Sequence, residues 1–514
     1  MKNRHLIQQF INSINAKLLN LLEDQKDGLL ALIDPNENQE ISAHYGASHF
    51  AASLLIQGEH NEALYTKGKQ LVASLIQRWE ESHRLPAYHY DFNNFAFVIC
   101  YDSLRVEDKS LKDQLRQIVL SSPDSNHYTI NWLPMRLYVN HKRLEWTEDK
   151  KYQNRINDCI RLINEATNND GGIEDRLPKG LSYNLQYNIS SFAILSFERQ
   201  LLPQYTFSKG LGFLLNKVAP DGDINYQGRG CNQVFAWGPW IYILSLYGLH
   251  DDLYQALTFL DGKLGIMLEN NSMMLNSWNG KEKFLWWDYH YASVYMAYLL
   301  LWLVFALHDH AACKDIKPVL VNDLSTGLRS YETPDYYISV FEGRKEYLAE
   351  FGPTLNLLWT KRNGMIFKGG LGPWRGLFGN NNTNEDVVML NHLGVISITR
   401  PYSRGIINRI LNRLKISAGI CKKKDEKLIK RPVFSPISID EKEKELRLKW
   451  STNDNDQKFF NFSTFNEFSD IKLFAAGKEI SMLLIGRIRN QYDWVNIYQS
   501  KISIGREWEL VIPL

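Results

Sequence analysis

The chain has 514 residues, with 59 Lys and Arg against 57 Asp and Glu, for a formal charge of +2. That near balance excludes a histone-like polyanion binder, whose whole surface would be basic, and no nucleic-acid partner is expected. Charged residues at 23% and hydrophobic ones at 44% describe packed globular domains, and the length accommodates roughly two to four of them.

In chain order, the start from Met1 to Phe10 has basic residues but no continuous apolar stretch. It predicts an amphipathic helix, no secretory signal and hence a cytoplasmic protein. Cys100, Cys159, Cys231, Cys313 and Cys421 are an odd number, far apart and without a CxxC pair. They fit neither a disulfide framework nor a zinc cluster and read as reduced, buried thiols; no metal or other cofactor is expected. The uncharged run from Tyr291 to Leu307 would span about 25 Å as a helix, short of the ~30 Å hydrocarbon core. It reads as a helix buried all round, not as a membrane span.

A polar, aromatic cluster followed at once by an apolar helical run recurs through the first three hundred residues. The clusters begin at His44-Tyr45, His89-Tyr90, His127-Tyr128, Tyr183-Asn184, Asn225-Tyr226 and Trp286-Trp287. Taking residues 44, 89, 127, 183, 226 and 290 as markers, the spacings are 45, 38, 56, 43 and 64. Turn formers precede several of them, such as Asn169-Asp170-Gly171-Gly172 and Asp221-Gly222. Helix-period stretches such as Glu62 to Arg78 and Lys151 to Asn164 lie between. This pattern predicts stacked helical hairpins. Closed into a ring, an (α/α) toroid, they would open all the polar helix starts on one rim; as an open solenoid, they would line a concave face.

After about residue 320 the pattern changes to short alternating strands, among them Tyr331 to Phe341, Leu355 to Trp359, Gly394 to Thr399, Leu446 to Trp450 and Trp508 to Ile512. Residues 1–320 are thus expected to form the toroid and 321–514 an antiparallel β-sandwich, an α+β architecture in two domains. Residues 404–431 hold ten Lys or Arg against Asp425 and Glu426. That basic insertion reads as a solvated loop or as a patch for peripheral contact with an acidic polymer or membrane surface.

Candidate site residues fall on the rim. Arg229, between Gly228 and Gly230, offers a planar fork suited to a carboxylate; the competing reading pairs it with Asp223. Tyr226 adds a phenol and Gln233 an amide, while Trp237, Trp240 and Trp287 offer faces for stacking on sugar rings. Asn184 and Asn188 are one helical turn apart; Asn184 also reads as a helix N-cap. His290 and Tyr291 supply an imidazole and a phenol for proton transfer, with His89, Tyr90 and His127 as further candidates of the same kind.

A helical toroid followed by a β-sandwich, with Asn, His, Tyr and Arg on inner-helix starts, resembles the polysaccharide lyases of the heparinase II/III, chondroitin AC lyase and alginate lyase type. The Asp221-Gly222 turn before a Tyr- and Gln-bearing segment is similar to theirs. The resemblance implies β-elimination on a uronate-containing polysaccharide, an acidic partner. It makes Asn188, Arg229 and Gln233 candidates for neutralising the carboxylate, and Tyr226, His290 and Tyr291 candidates for proton transfer. His392 is the one histidine of the β region that could join them. Three alternatives stay open. A glycoside hydrolase, including one acting on unsaturated uronyl products, would use a pair among Asp91, Asp170, Asp221, Asp223 and Asp288. A uronyl C5-epimerase would share the proton abstraction, and a noncatalytic glycan-binding protein would use the aromatics alone.

Overall fold

The computed structural model describes residues 2–25, 28–82, 89–122, 129–175, 184–228, 231–272, 275, 291–308, 313, 315–319, 327–341, 354–369, 386–388, 397–399, 438–442, 444–451, 459–467, 470–489, 492–501 and 507–514. By its contacts the chain divides into a helical unit running to residue 326 and a β unit beginning at Gly327, which also takes in Tyr226, Gln227, Gly228 and Cys231.

The helical unit is a closed ring of paired helices. Six inner helices, α2 (Gly46–Gln57), α4 (Tyr90–Ser103), α6 (Leu133–Thr147), α8 (Leu185–Leu195), α10 (Trp237–Leu246) and α12 (Ala292–His308), pack each on the next, and α12 packs back on α2. That last contact excludes an open solenoid. The outer helices α1 (Lys2–Leu19), α3 (Glu62–Ser82), α5 (Lys109–Ser121), α7 (Lys150–Ala166), α9 (Gln204–Leu215) and α11 (His250–Glu269) each pack against an inner one.

The two layers differ as their sequences require. Outer α7 buries only Tyr152, Ile156, Cys159, Ile163 and Ala166, one stripe at helical spacing. Every residue of inner α8 is buried, because it faces both the ring interior and the outer layer. Helix α12 is buried almost along its whole length. Among the described residues no helix is long and apolar enough to cross a membrane. Three short strands, β1 (Leu22–Asp24), β2 (Leu30–Asp34) and β3 (Gln39–Glu40), form an antiparallel sheet after α1. At the end of β2, the Asp34 carboxylate accepts from the backbone N–H and the hydroxyl of Ser293, at 2.8 Å each. This satisfies an orphan donor at the start of α12 and ties that start to the sheet.

In the β unit, β4 (Leu328–Glu332), β5 (Tyr336–Phe341), β6 (Thr354–Thr360) and β7 (Gly364–Lys368) form one antiparallel sheet, and β8 (Asp386–Val388) pairs with β9 (Ser397–Thr399). The remaining strands are β10 (Ser438–Lys442), β11 (Glu445–Ser451), β12 (Phe459–Thr464), β13 (Lys472–Ala475), β14 (Lys478–Ile480), β15 (Leu483–Arg489), β16 (Trp494–Lys501) and β17 (Glu507–Pro513). They make a five-stranded sheet in the order β10-β11-β17-β13-β14 and a three-stranded one in the order β12-β16-β15. Strand β11 alternates strictly, turning Leu446, Leu448 and Trp450 inward. These join Ile338, Val340, Leu355, Leu358, Phe462, Leu473, Leu510 and Ile512 in one hydrophobic core shared by three of the sheets.

One expected strand is divided. Tyr331 to Phe341 breaks into β4 and β5, because Thr333-Pro334-Asp335 makes the turn between them, with the Thr333 amide donating to the Tyr336 carbonyl at 2.9 Å. Pro334 has no amide to give a ladder. The basic stretch 404–431 lies outside the described residues.

Candidate active site at the mouth of the ring

The polar clusters sit at or just before the inner-helix starts. Tyr45 is the N-cap of α2 and His89 that of α4; Trp132 precedes α6, Asn184 caps α8, Gln233 precedes the turn into α10, and Tyr291 precedes α12. Local chemistry explains several of these starts. The Asn184 side chain accepts from the Gln186 amide at 3.0 Å, and Pro134 lies in the first turn of α6, where an amide has no intrahelical partner to lose.

Ring contacts show that these starts lie side by side. The Tyr45 ring stacks on Phe92 with centroids 4.3 Å apart, and Phe92 reaches Trp132 and Phe235, each at 6.5 Å. Phe235 in turn touches Tyr187 at 6.4 Å and Tyr295 at 6.0 Å, and Tyr295 returns to Tyr45 at 6.4 Å. Each inner helix or its leading turn thus contributes one aromatic ring to a single layer across the mouth. Tyr298 lies below, stacked on Phe235 at 4.2 Å. His49 is also below, donating from Nδ1 to the Tyr45 carbonyl at 3.0 Å; burial holds it neutral, its pKa lowered to about 3.

Polar groups stand beside this layer. The imidazoles of His44 and His89 lie 4.2 Å apart between centroids, and the Tyr291 phenol ring is 4.9 Å from His44. His89 Nδ1 donates to the Ala43 carbonyl at 3.0 Å. A carbonyl can only accept, so in the neutral ring Nε2 is the basic nitrogen. Asp91 and Arg136 form a buried bidentate pair, Nε to Oδ1 at 2.8 Å and Nη2 to Oδ2 at 3.0 Å. Other carboxylates named from the sequence are also engaged. Asp223 accepts from the Asn225 amide at 2.8 Å and Asp221 from the Asp223 amide at 3.3 Å. Asp170 accepts from the Gly172 amide at 3.3 Å. It also faces Lys217, whose amine burial pushes down to about 7 against the pull of Asp170.

The structure draws together only part of the expected site. Tyr291 and His89 meet at the mouth, and half-buried Tyr90 opens α4 beside them. Asn184 serves as an N-cap. Asn188, buried one turn further on, donates to the Ile173 carbonyl at 3.2 Å. Gln233 is buried, and its Oε1 has no hydrogen-bond partner among the described residues. Trp237 and Trp240 do not offer stacking faces here: both are fully buried, and the Trp237 ring is already stacked on Phe259 at 4.6 Å. Trp237 opens α10 and Trp240 lies one turn further on, so the two share the face that turns into the core. Tyr226 belongs to the β unit, where its buried hydroxyl lies 3.0 Å from that of Tyr337. Burial, with Tyr226 beside it, keeps the Tyr337 phenol protonated well above its usual range. Arg229, His127, Trp287, His290, Asp288 and His392 lie outside the described residues.

His44 was not singled out from the sequence. The signal was present, since His44-Tyr45 repeats the His89-Tyr90 dipeptide at the equivalent helix start. The aromatic layer was not singled out either, because spacing along the chain does not show which rings of the helix starts meet. Among the described residues no three His, Cys, Asp or Glu side chains gather to hold a metal ion.

No family model and no curated protein matches the sequence. Among solved structures, the chain is similar to an α-1,6-mannanase of Salegentibacter sp. HEL1_6, with TM-score 0.42 and 12% identity over 59% of this chain and 99% of that one. It is similar to a polysaccharide lyase, with TM-score 0.41 and 11% identity over 60% and 98%. An unsaturated glucuronyl hydrolase from Streptococcus agalactiae gives TM-score 0.40 and 13% identity over 60% and 92%.

Proposed function

We propose that the protein is a carbohydrate-active enzyme that cleaves a uronate-containing polysaccharide by β-elimination at the mouth of the ring. The observation that carries this reading is the cluster of His44, His89 and Tyr291 beside an aromatic layer, at the point where six helix starts meet. Imidazole and phenol are proton carriers suited to removing and returning a proton without a metal. Helix N-termini carry partial positive charge, so their convergence favours an anionic ligand. Aromatic rings at the mouth suit sugar faces.

In the proposed reaction, an imidazole or phenol takes the C5 proton of the uronate. The electron pair left on C5 forms the C4–C5 double bond as the C4–O bond breaks, and a phenol protonates the departing oxygen. Asn188, Gln233 and Arg229 are the proposed carboxylate partners, stabilising charge where it develops. His89 and His290 are proposed as bases and Tyr291 as an acid. The toroid, 1–320, would be the catalytic domain and 321–514 a β-sandwich, a reading that the core shared between its sheets supports. The basic residues of 404–431 would attract the acidic polymer.

The hydrolase reading requires two available carboxylates. Of its candidates, Asp91 is held by Arg136 and Asp170, Asp221 and Asp223 each accept a nearby backbone amide, while Asp288 lies outside the described residues. Incubation with a panel of acidic polysaccharides should raise the ultraviolet absorbance of an unsaturated uronate product. New reducing ends without absorbance would instead establish hydrolysis, and solvent deuterium entering C5 without cleavage would establish epimerisation. Binding without turnover on any polymer would leave a noncatalytic glycan-binding protein.

A further inference from the structure

We infer that Asn93 is a positioning residue that holds His44 and His89 together as one unit, a role that rests on the mouth being the reactive centre. Asn93 lies in the first turn of α4, buried, one turn from the His89 cap. Its Nδ2 donates to the His89 carbonyl at 3.2 Å and reaches the His44 carbonyl at 3.5 Å, while Oδ1 accepts from the Ser48 hydroxyl at 2.8 Å. One amide thus bridges the backbone at both histidines and a side chain of α2.

The chemistry settles its orientation. Two carbonyl oxygens face one end of the side chain, and carbonyls only accept, so that end must be the NH2 group. Each of its hydrogens then has one carbonyl to serve. The other end is the oxygen, to which the Ser48 hydroxyl donates; Ser48 Oγ also lies 2.9 Å from the Tyr45 carbonyl. The His89 Nδ1 contact to the Ala43 carbonyl adds a second crosslink between the same two helix starts. Around them the contacts are largely apolar and aromatic, and these are less directional than a hydrogen bond in setting the height of one helix against the next. The amide bridge does set it, and with it the 4.2 Å spacing of the imidazoles.

The test compares Asn93→Leu, of similar size but without hydrogen-bonding capacity, Ser48→Ala and the hydroxyl-retaining Ser48→Thr. On whichever acidic polysaccharide the wild type cleaves, Asn93→Leu is expected to lower kcat by about 10- to 100-fold with KM little changed, the scale of a small misplacement of reacting groups. The Cε1–H NMR signals of His44 and His89 should move together, while that of His141, at the other end of α6, stays in place. Ser48→Ala should give a weaker version of the same pattern, and Ser48→Thr should restore it. A folded Asn93→Leu protein with both signals and kcat at wild-type values overturns the inference. If Asn93→Leu does not fold, unchanged signals in Ser48→Ala overturn it equally. Should the wild type cleave no acidic polysaccharide, the proposed function falls, and the two histidine signals alone decide the role of Asn93.

Discussion

The two ends of the inner ring differ in kind. At the mouth, imidazoles, phenols and aromatic rings crowd around helix starts, and the buried charge named there, Asp91 with Arg136, is a closed pair. At the opposite end, where α4 and α6 finish, ion pairs lie beside a second aromatic cluster of Phe197, Tyr242 and Phe305. His141 Nδ1 meets the Glu198 carboxylate at 2.8 Å, and Lys142 bridges Asp102 at 3.3 Å and Glu145 at 3.0 Å. Helix C-termini carry partial negative charge, which suits His141 and Lys142 but leaves the carboxylates dependent on those partners. Burial accordingly pushes the Glu198 carboxyl up to about 7, although His141 opposes the rise. The same helices therefore gather imidazoles, phenols and aromatic rings at their starts and ion pairs toward their ends.

Four experiments would break or sharpen that contrast, beginning with the largest effect. His89→Ala and His44→Ala should each lower turnover by about 10²- to 10⁴-fold, the usual contribution of proton transfer. Circular dichroism should show both variants folded, and turnover at the wild-type level in both would remove the mouth as the reactive centre.

Next, Asp91→Ala removes the carboxylate that pairs with the buried Arg136 guanidinium. It should cost about 3–5 kcal/mol in urea unfolding, as loss of one partner of a buried ion pair does. A cost below about 1 kcal/mol would place the pair in the class of exposed bridges.

The third experiment is at the far end. The Glu198 carboxyl titrates near 7 in the folded protein against an ordinary 4.5. A raised carboxyl favours folding while protonated, so its contribution is complete below about pH 4.5 and is lost as pH rises through 7. Glu198→Gln should remove that dependence and gain on the wild type by about 3 kcal/mol between pH 4.5 and 8. Parallel stability curves would show that Glu198 titrates normally.

The smallest effect belongs to the outer layer. The Asp149 side chain caps α7 by accepting from the Lys151 amide at 2.9 Å. Asp149→Ala should cost about 1 kcal/mol in stability, with turnover unchanged.

The helical repeat was legible because a buried inner helix and a one-faced outer helix leave different periodicities. Both stretches read as helical, Glu62 to Arg78 and Lys151 to Asn164, lie inside α3 and α7. The buried helix at Tyr291 to Leu307 was legible from its lack of charge, and it is α12, starting one residue later. Strand alternation in Leu446 to Trp450 was equally direct. The division of Tyr331 to Phe341 was hidden, although Pro334 marks the place where the ladder breaks. At the candidate site the sequence identified the helix starts but not which side chains face the mouth. Trp237 and Trp240 carried the right chemistry and turned inward, whereas His44 carried it and was passed over.

Local pattern therefore determined the elements, their two-layer arrangement and the polar character of the inner starts, since periodicity and turn chemistry act over a few residues. Closure of α12 onto α2 was decided only in three dimensions. So was the meeting of His44, His89 and Tyr291, residues up to 247 positions apart. No spacing along the chain specifies such a meeting. It follows from six helices burying two faces each, which they achieve only by sharing one interior.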